Sequence, residues 1–196
     1  MGEEHGHEPG TSPLTWIVDP IDGTRAFICG LPVWGTLIGL MRNGDPVMGV
    51  MHQPYTGELF FGDGRHAQLK GPRGPRDLRA RRCDRLADAH LMTTDPRLFV
   101  GEDRKAYGRI EDAVKLTRYG TDCYAYAMLA SGLVDLVIET GLKAYDIVAL
   151  IPIIEGAGGI VTTWEGASAR NGGRIIAAAS KALHAEALRL LADAAG

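Results

Sequence analysis

Short apolar runs separated by glycine constrain this chain more than any other feature. The sequence holds 26 Gly in 196 residues, and many of them fall between stretches too short for helices but long enough for strands. Residues 15–19 (TWIVD), 35–42 (GTLIGLMR), 46–52 (PVMGVMH) and 57–62 (GELFFG) read as strands of an antiparallel meander. Asn43-Gly44 supplies the hairpin turn between the second and third. Residues 65–85 read as loop, because Pro, Gly and basic side chains break up their apolar pattern. After that the pattern changes. An apolar run at 89–93 opens a second sheet region. Helical periodicity over 104–115, 122–131, 145–156 and 181–194 then alternates with strands at 116–119, 133–139, 160–163 and 174–178. Pro152 falls inside the 145–156 helix and is expected to kink or shorten it. The expected fold class is layered α/β, with antiparallel sheet early and alternating elements late. Its two halves are residues 1–88 and 89–196.

Composition excludes several function classes. With 21 Lys+Arg against 24 Asp+Glu, the net charge of -3 argues against a basic nucleic-acid binder. Eight Lys/Arg do cluster in residues 65–85, against two Asp. Without aromatic stacking partners, that cluster reads as a solvated surface loop. Cys29, Cys83 and Cys123 are odd in number and lack C-x-x-C spacing, so neither a disulfide framework nor a zinc knuckle is expected. Cys29 and Cys123 read as buried, inert small hydrophobes. The opening MGEEHGHEPG is acidic and polar, unlike a secretory signal, and no run approaches the ~18 apolar residues of a membrane span. The expected home is the cytoplasm, with neither membrane nor nucleic acid as partner.

The segment Trp16-Ile17-Val18-Asp19-Pro20-Ile21-Asp22-Gly23-Thr24 carries the chemistry. An apolar strand runs into a turn with carboxylates at Asp19 and Asp22. Pro20 fixes the turn, and Gly23 permits positive φ or close backbone approach. Residues 25–29 can then start a helix whose free N–H groups, with those of Gly23 and Thr24, suit a phosphate. Mg2+ takes carboxylates together with substrate phosphate oxygens, so Asp19 and Asp22 fit a metal-phosphate site. A solvated turn with capping aspartates is the alternative.

Further segments complete a pattern: Gly2-Glu3-Glu4 upstream, and Tyr145-Asp146 at the head of a helix that closes on Gly158-Gly159. Together with the DPIDGT string, they resemble the inositol monophosphatase family along nearly the whole chain. The histidinol-phosphatase branch is the nearer match, through Asp22 to Phe27, Gly30 to Ile38, Tyr119 to Tyr126, and Gly141 to Ile147 followed by Ile151 to Gly156. The resemblance implies an αβαβα sandwich and a Mg2+-dependent phosphomonoesterase with two or more metals per site. Glu3, Asp19 and the carbonyl of Ile21 would hold one Mg2+, and Asp19, Asp22 and Asp146 a second. Thr24 with Glu3 would orient and deprotonate a metal-bound water for in-line attack. Gly23, Thr24, Gly120, Thr121, Asp122, Glu139 and Asp146 would contact the substrate. Asp122 and Glu139 suit the ammonium and imidazole of histidinol better than neutral inositol.

Each residue has a plainer reading as well. Glu3 is a terminal glutamate, Asp146 a helix cap, Asp122 a cap of the following helix, and Glu139 the end of a strand. The resemblance also implies an N-terminal helical segment before Gly2-Glu3-Glu4 that packs on the first sheet, and the sandwich is expected to lack it here. The expected reaction is hydrolysis of L-histidinol phosphate in histidine biosynthesis, by a homodimer. The alternatives are an inositol-1-phosphate or other sugar-phosphate phosphatase, and a truncated, non-catalytic paralogue acting as a binding or subunit protein.

Overall fold

The computed structural model describes Gly2 and residues 11–192. The chain begins with β1 (Leu14–Asp22) and the short helix α1 (Thr24–Ile28). It then lays down β2 (Gly35–Arg42), β3 (Asp45–Gln53), β4 (Glu58–Gly62), β5 (Ala67–Gly71) and β6 (Gly74–Asp77). These six strands form one antiparallel sheet in sequence order. Asn43 and Gly44 both take positive φ in the β2–β3 turn, as a tight hairpin requires.

The second half runs β7 (His90–Thr93), α2 (Glu102–Ala113), β8 (Leu116–Tyr119), α3 (Asp122–Ala130), β9 (Leu136–Leu142), α4 (Ala144–Ile147) and α5 (Leu150–Gly156). It ends with β10 (Ile160–Thr163), β11 (Gly173–Ala178) and α6 (Lys181–Ala192). The five strands form a mixed sheet in the order β10-β11-β9-β7-β8, with β7 parallel to both β8 and β9. Parallel neighbours need crossovers, which α2 and α3 supply.

Alternating side chains sort these elements into layers. The inner face of the first sheet presents Leu37, Met51, Phe60 and Leu69 to α3 and α5. Those helices also cover Val137, Ile175 and Ala177 on the second sheet, making one continuous core. The opposite face of the second sheet, with Leu136, Ile138, Ile176 and Ala178, packs against Tyr107 and Ile110 of α2 and Leu183 and Ala187 of α6. The described residues therefore stack as sheet, helices, sheet, helices. The outer face of the first sheet is exposed: Trp16 pairs across to Leu40 and Leu40 to Met48, and Trp16 and Met48 keep 58% and 50% of their surface.

Three glycines set how closely the helical layer approaches. Gly39 pairs with Gly49, and Gly49 with Gly62, so they form a row across β2, β3 and β4. A Cβ at Gly39 would lie 2.7 Å from Val148 Cγ1, and one at Gly62 would lie 2.5 Å from Pro152 O. At Gly49 it would overlap the carbonyl of Ala149. The α4–α5 junction and the first turn of α5 therefore rest directly on the glycine row, where any added side chain would clash.

The structure corrects three sequence readings. Residues 65–85 are not all loop, because β5 and β6 extend the first sheet. Ala67 and Leu69 alone supply the inward face of β5. Pro75 is tolerated because β6 is an exposed edge strand. The 145–156 helix is two helices, and Pro152 is the third residue of α5, where its missing N–H costs no intrahelical bond. The strand expected at 133–139 spans Leu136–Leu142, because Asp135 is held in the preceding turn. There, fully buried, it accepts from the Arg81 guanidinium and from His90 N.

Candidate active site

The turn after β1 is shaped by its own polar groups. Pairing slips between Asp19 and Asp22, leaving Pro20-Ile21 as an irregularity in the strand. Ile21 N donates to Asp19 Oδ1 at 3.0 Å. The Thr24 hydroxyl donates to the Ile21 carbonyl at 3.1 Å, and Thr36 Oγ1 to Pro20 O at 2.8 Å. Gly23 takes φ +83° as the residue before α1. A Cβ there would press on Asp122 Cβ at 3.0 Å and Trp34 Cα at 3.2 Å. Glycine thus brings the carboxylate turn against the head of α3.

Asp146 reaches the same place from far along the chain. It sits at N3 of α4, and its Oδ2 accepts from Lys143 N at 2.6 Å in a capping box. The cap and the candidate ligand are therefore one residue. One carboxylate oxygen from each of Asp19, Asp22 and Asp146 falls within 4.8 Å of the others. Asp19 is 2% exposed. The Asp22 carboxyl is pushed up to about 7, first by burial and further by the neighbouring Asp146 and Asp122; hydrogen bonding from Cys123 opposes the rise. Three carboxyls this close, one of them buried, are the donor set a hard divalent cation relieves. The residues therefore fit Mg2+.

A cavity of about 160 Å³ opens beside this cluster, lined by Asp22, Asp146, Asp122, Glu139 and Tyr126, with Leu98 and Leu142 on its apolar side. Asp122 takes φ +43°, in the left-handed region. Its carboxyl is raised by burial, with Arg25 pulling the other way. Glu139 is 2% exposed, and its Oε1 accepts from Thr94 N at 2.6 Å and Thr94 Oγ1 at 3.0 Å. Burial still pushes it up to about 8. Cys123 N donates to Asp22 Oδ1 at 2.9 Å, tying α3 to the β1 turn. Burial holds the Tyr126 phenol well above its ordinary range, so it is a hydroxyl donor.

Of the residues named from sequence, Asp19, Asp22 and Asp146 converge, and Ile21 and Thr24 share a hydrogen bond beside them. Asp122 and Glu139 line the same cavity as Asp22. Gly120 and Thr121 form the turn into α3, where Gly120 N donates to Thr94 O at 2.9 Å, and they do not line the cavity. Glu3 lies outside the described residues. Cys123 is buried as expected, but Cys29 is exposed at the end of α1. Sequence reasoning missed Thr94, Leu98, Tyr126, Thr140 and Leu142 as cavity residues. Only Tyr126, a polar side chain in an apolar helix, carried any signal.

Residues 1–195 match the model of the inositol monophosphatase family. The chain belongs to that family. Inositol monophosphatase-family enzymes are metal-dependent phosphatases that use Mg2+. The bifunctional phosphatase IMPL2, chloroplastic, of Arabidopsis thaliana is 46% identical over 97% of this chain and 57% of its own length. The histidinol-phosphatase of Mycobacterium tuberculosis is 32% identical over 97% of this chain and 74% of its own. The solved inositol monophosphatase of Zymomonas mobilis superposes with a TM-score of 0.89 at 38% identity, covering 97% of this chain and 75% of that one. The chain thus spans little more than half the length of the plant relative and about three quarters of the other two. No helix among the described residues is long and apolar enough to cross a membrane.

Proposed function

We propose that this chain hydrolyses a small phosphomonoester, with L-histidinol phosphate as its substrate. The observation that carries the reading is the pair of carboxyls, Asp122 and Glu139, lining the same cavity as Asp22 and Asp146 of the metal cluster. The cluster suits a metal and phosphate. The two further acidic groups suit an alcohol bearing a cation.

In this reading Asp19, Asp22, Asp146, the Ile21 carbonyl and Glu3 hold Mg2+. When bound, Mg2+ supplies positive charge against the phosphoryl oxygens and lowers the pKa of water. The chain's own groups do the rest. Gly23 and Thr24 offer backbone N–H groups to the phosphoryl group. Thr24, held by Ile21 O, together with Glu3 orients the attacking water and accepts its proton. Asp122 and Glu139 fix the ammonium and imidazole of the alcohol, and with them the angle at which the phosphorus is presented. Gly120 and Thr121 set the start of α3 and so the position of Asp122. A homodimer working in the cytoplasm completes the reading.

The named activity of the mycobacterial relative supports histidinol phosphate. The likeness to the Zymomonas enzyme favours a second reading, inositol 1-phosphate. Steady-state phosphate release from both substrates with Mg2+ present separates them. The first reading expects kcat/KM for histidinol phosphate to be higher by at least about tenfold. A preference for inositol 1-phosphate would overturn it.

A further inference from the structure

Tyr126 holds a hydroxyl that the fold does not use. The residue is 3% exposed and projects from α3 into the cavity lined by Asp22, Glu139 and Asp146. Its Oη is buried and has no hydrogen-bond partner. The polar groups around it are engaged elsewhere: Glu139 Oε1 with Thr94, Asp22 Oδ1 with Cys123 N, and Asp146 Oδ2 with Lys143 N. A buried hydroxyl without a partner is a cost that phenylalanine, filling the same space, would avoid. The cavity is where a partner would arrive.

The two groups at this end of the cavity are complementary in kind. Tyr126 offers an O–H donor, while Glu139 keeps an acceptor oxygen in either protonation state. A neutral imidazole has one nitrogen that accepts and one N–H that donates. We propose that Tyr126 is a specificity-determining residue, whose hydroxyl donates to the unprotonated ring nitrogen of an imidazole-bearing substrate while the ring N–H faces Glu139. An open-chain ammonium has donors only and lacks that pair. The inference rests on the histidinol-phosphate reading and names the group that reads the ring.

The test compares wild type with Tyr126→Phe on two substrates, histidinol phosphate and ethanolamine phosphate, which keeps the amine but has no ring. The phenylalanine variant should lose at least about tenfold more kcat/KM on the first than on the second, mainly through KM, because a site built to hydrogen-bond loses selectivity without its donor. Its melting temperature without ligand should match or exceed that of wild type, since an unpaired hydroxyl has been removed. Equal losses on both substrates, or a clear fall in melting temperature, would overturn the assignment. If wild type itself shows no preference for histidinol phosphate over ethanolamine phosphate, the substrate reading fails first, and the inference falls with it.

Discussion

The first sheet pairs each strand with its sequence neighbour and buries one face, whereas the second joins distant strands through crossovers and buries both. The contrast appears in the side chains. The outer row Trp16, Leu40 and Met48 of the first sheet faces away from the core. The second sheet has Val137 and Ile175 on one side and Ile138 and Ile176 on the other, all fully buried. The helical layer between the sheets is where the two strategies meet. On one side it meets a row of glycines set among Leu37, Met51 and Phe60, and on the other it meets side chains such as Val137 and Ile175. The candidate metal site sits at the end of that layer, with Asp19 and Asp22 from the first sheet and Asp146 from the helix leaving the second. Neither half makes the site alone.

Asp22→Asn tests that meeting point most severely. Replacing one anionic ligand while keeping the Cys123 N–H acceptor should cut turnover by about three orders of magnitude or more, ~4 kcal/mol in the barrier. The circular dichroism spectrum should stay native, and the stabilisation by Mg2+ in thermal melts should shrink. Wild-type turnover would mean that the two halves need not share a metal.

The next largest effect should fall on the glycine row. Gly49→Ala places a methyl in the carbonyl of Ala149 and should cost about 3 kcal/mol or more in urea unfolding. Gly108→Ala, in the middle of α2 with nothing within 4 Å of its Cβ, should instead gain ~0.5–1 kcal/mol. A similar outcome for the two would erase the distinction between a backbone-on-backbone layer and a side-chain-packed one.

The smallest effect is a histidine-linked pH dependence in the second half. His184 of α6 is buried, with Nε2 2.8 Å from Thr162 Oγ1 on β10. The Thr162 hydroxyl donates to Thr163 O, so the histidine donates to it. Burial lowers the His184 pKa below its ordinary 6.5. Its contribution to stability is therefore complete above pH 6.5 and is lost as pH falls through that value toward the folded-state pKa. His184→Gln should flatten the stability profile on the acid side of 6.5. Among the described residues the first sheet has no buried histidine, because His52 and His66 are exposed. An unchanged acid slope in the variant would remove the asymmetry.

The legibility of the sequence follows the same division. The meander could be read because each of its strands pairs locally, through turns such as Asn43-Gly44 that announce themselves. The β5–β6 hairpin was hidden because its strands carry little apolar signal and lie toward the sheet edge. The carboxylates of the DPIDGT turn were visible as a pair, since one turn holds both. Tyr126, Thr94 and Leu98 were not, because they come from three elements that only the second sheet brings side by side.

Local chemistry in the chain determined the order of elements, the shape of the β1 turn and the residue types able to hold a metal. Those depend on backbone preferences and short-range hydrogen bonds. The tertiary structure decided which distant groups share a cavity. Gly39, Gly49 and Gly62 were three unrelated strand glycines until strand register set them in one row. Asp146 was as much a helix cap as a ligand until α4 settled onto that row. The physical reason is that burial and pairing across long sequence separations have no local signature. They arise only when the apolar faces of two sheets close on the same helices.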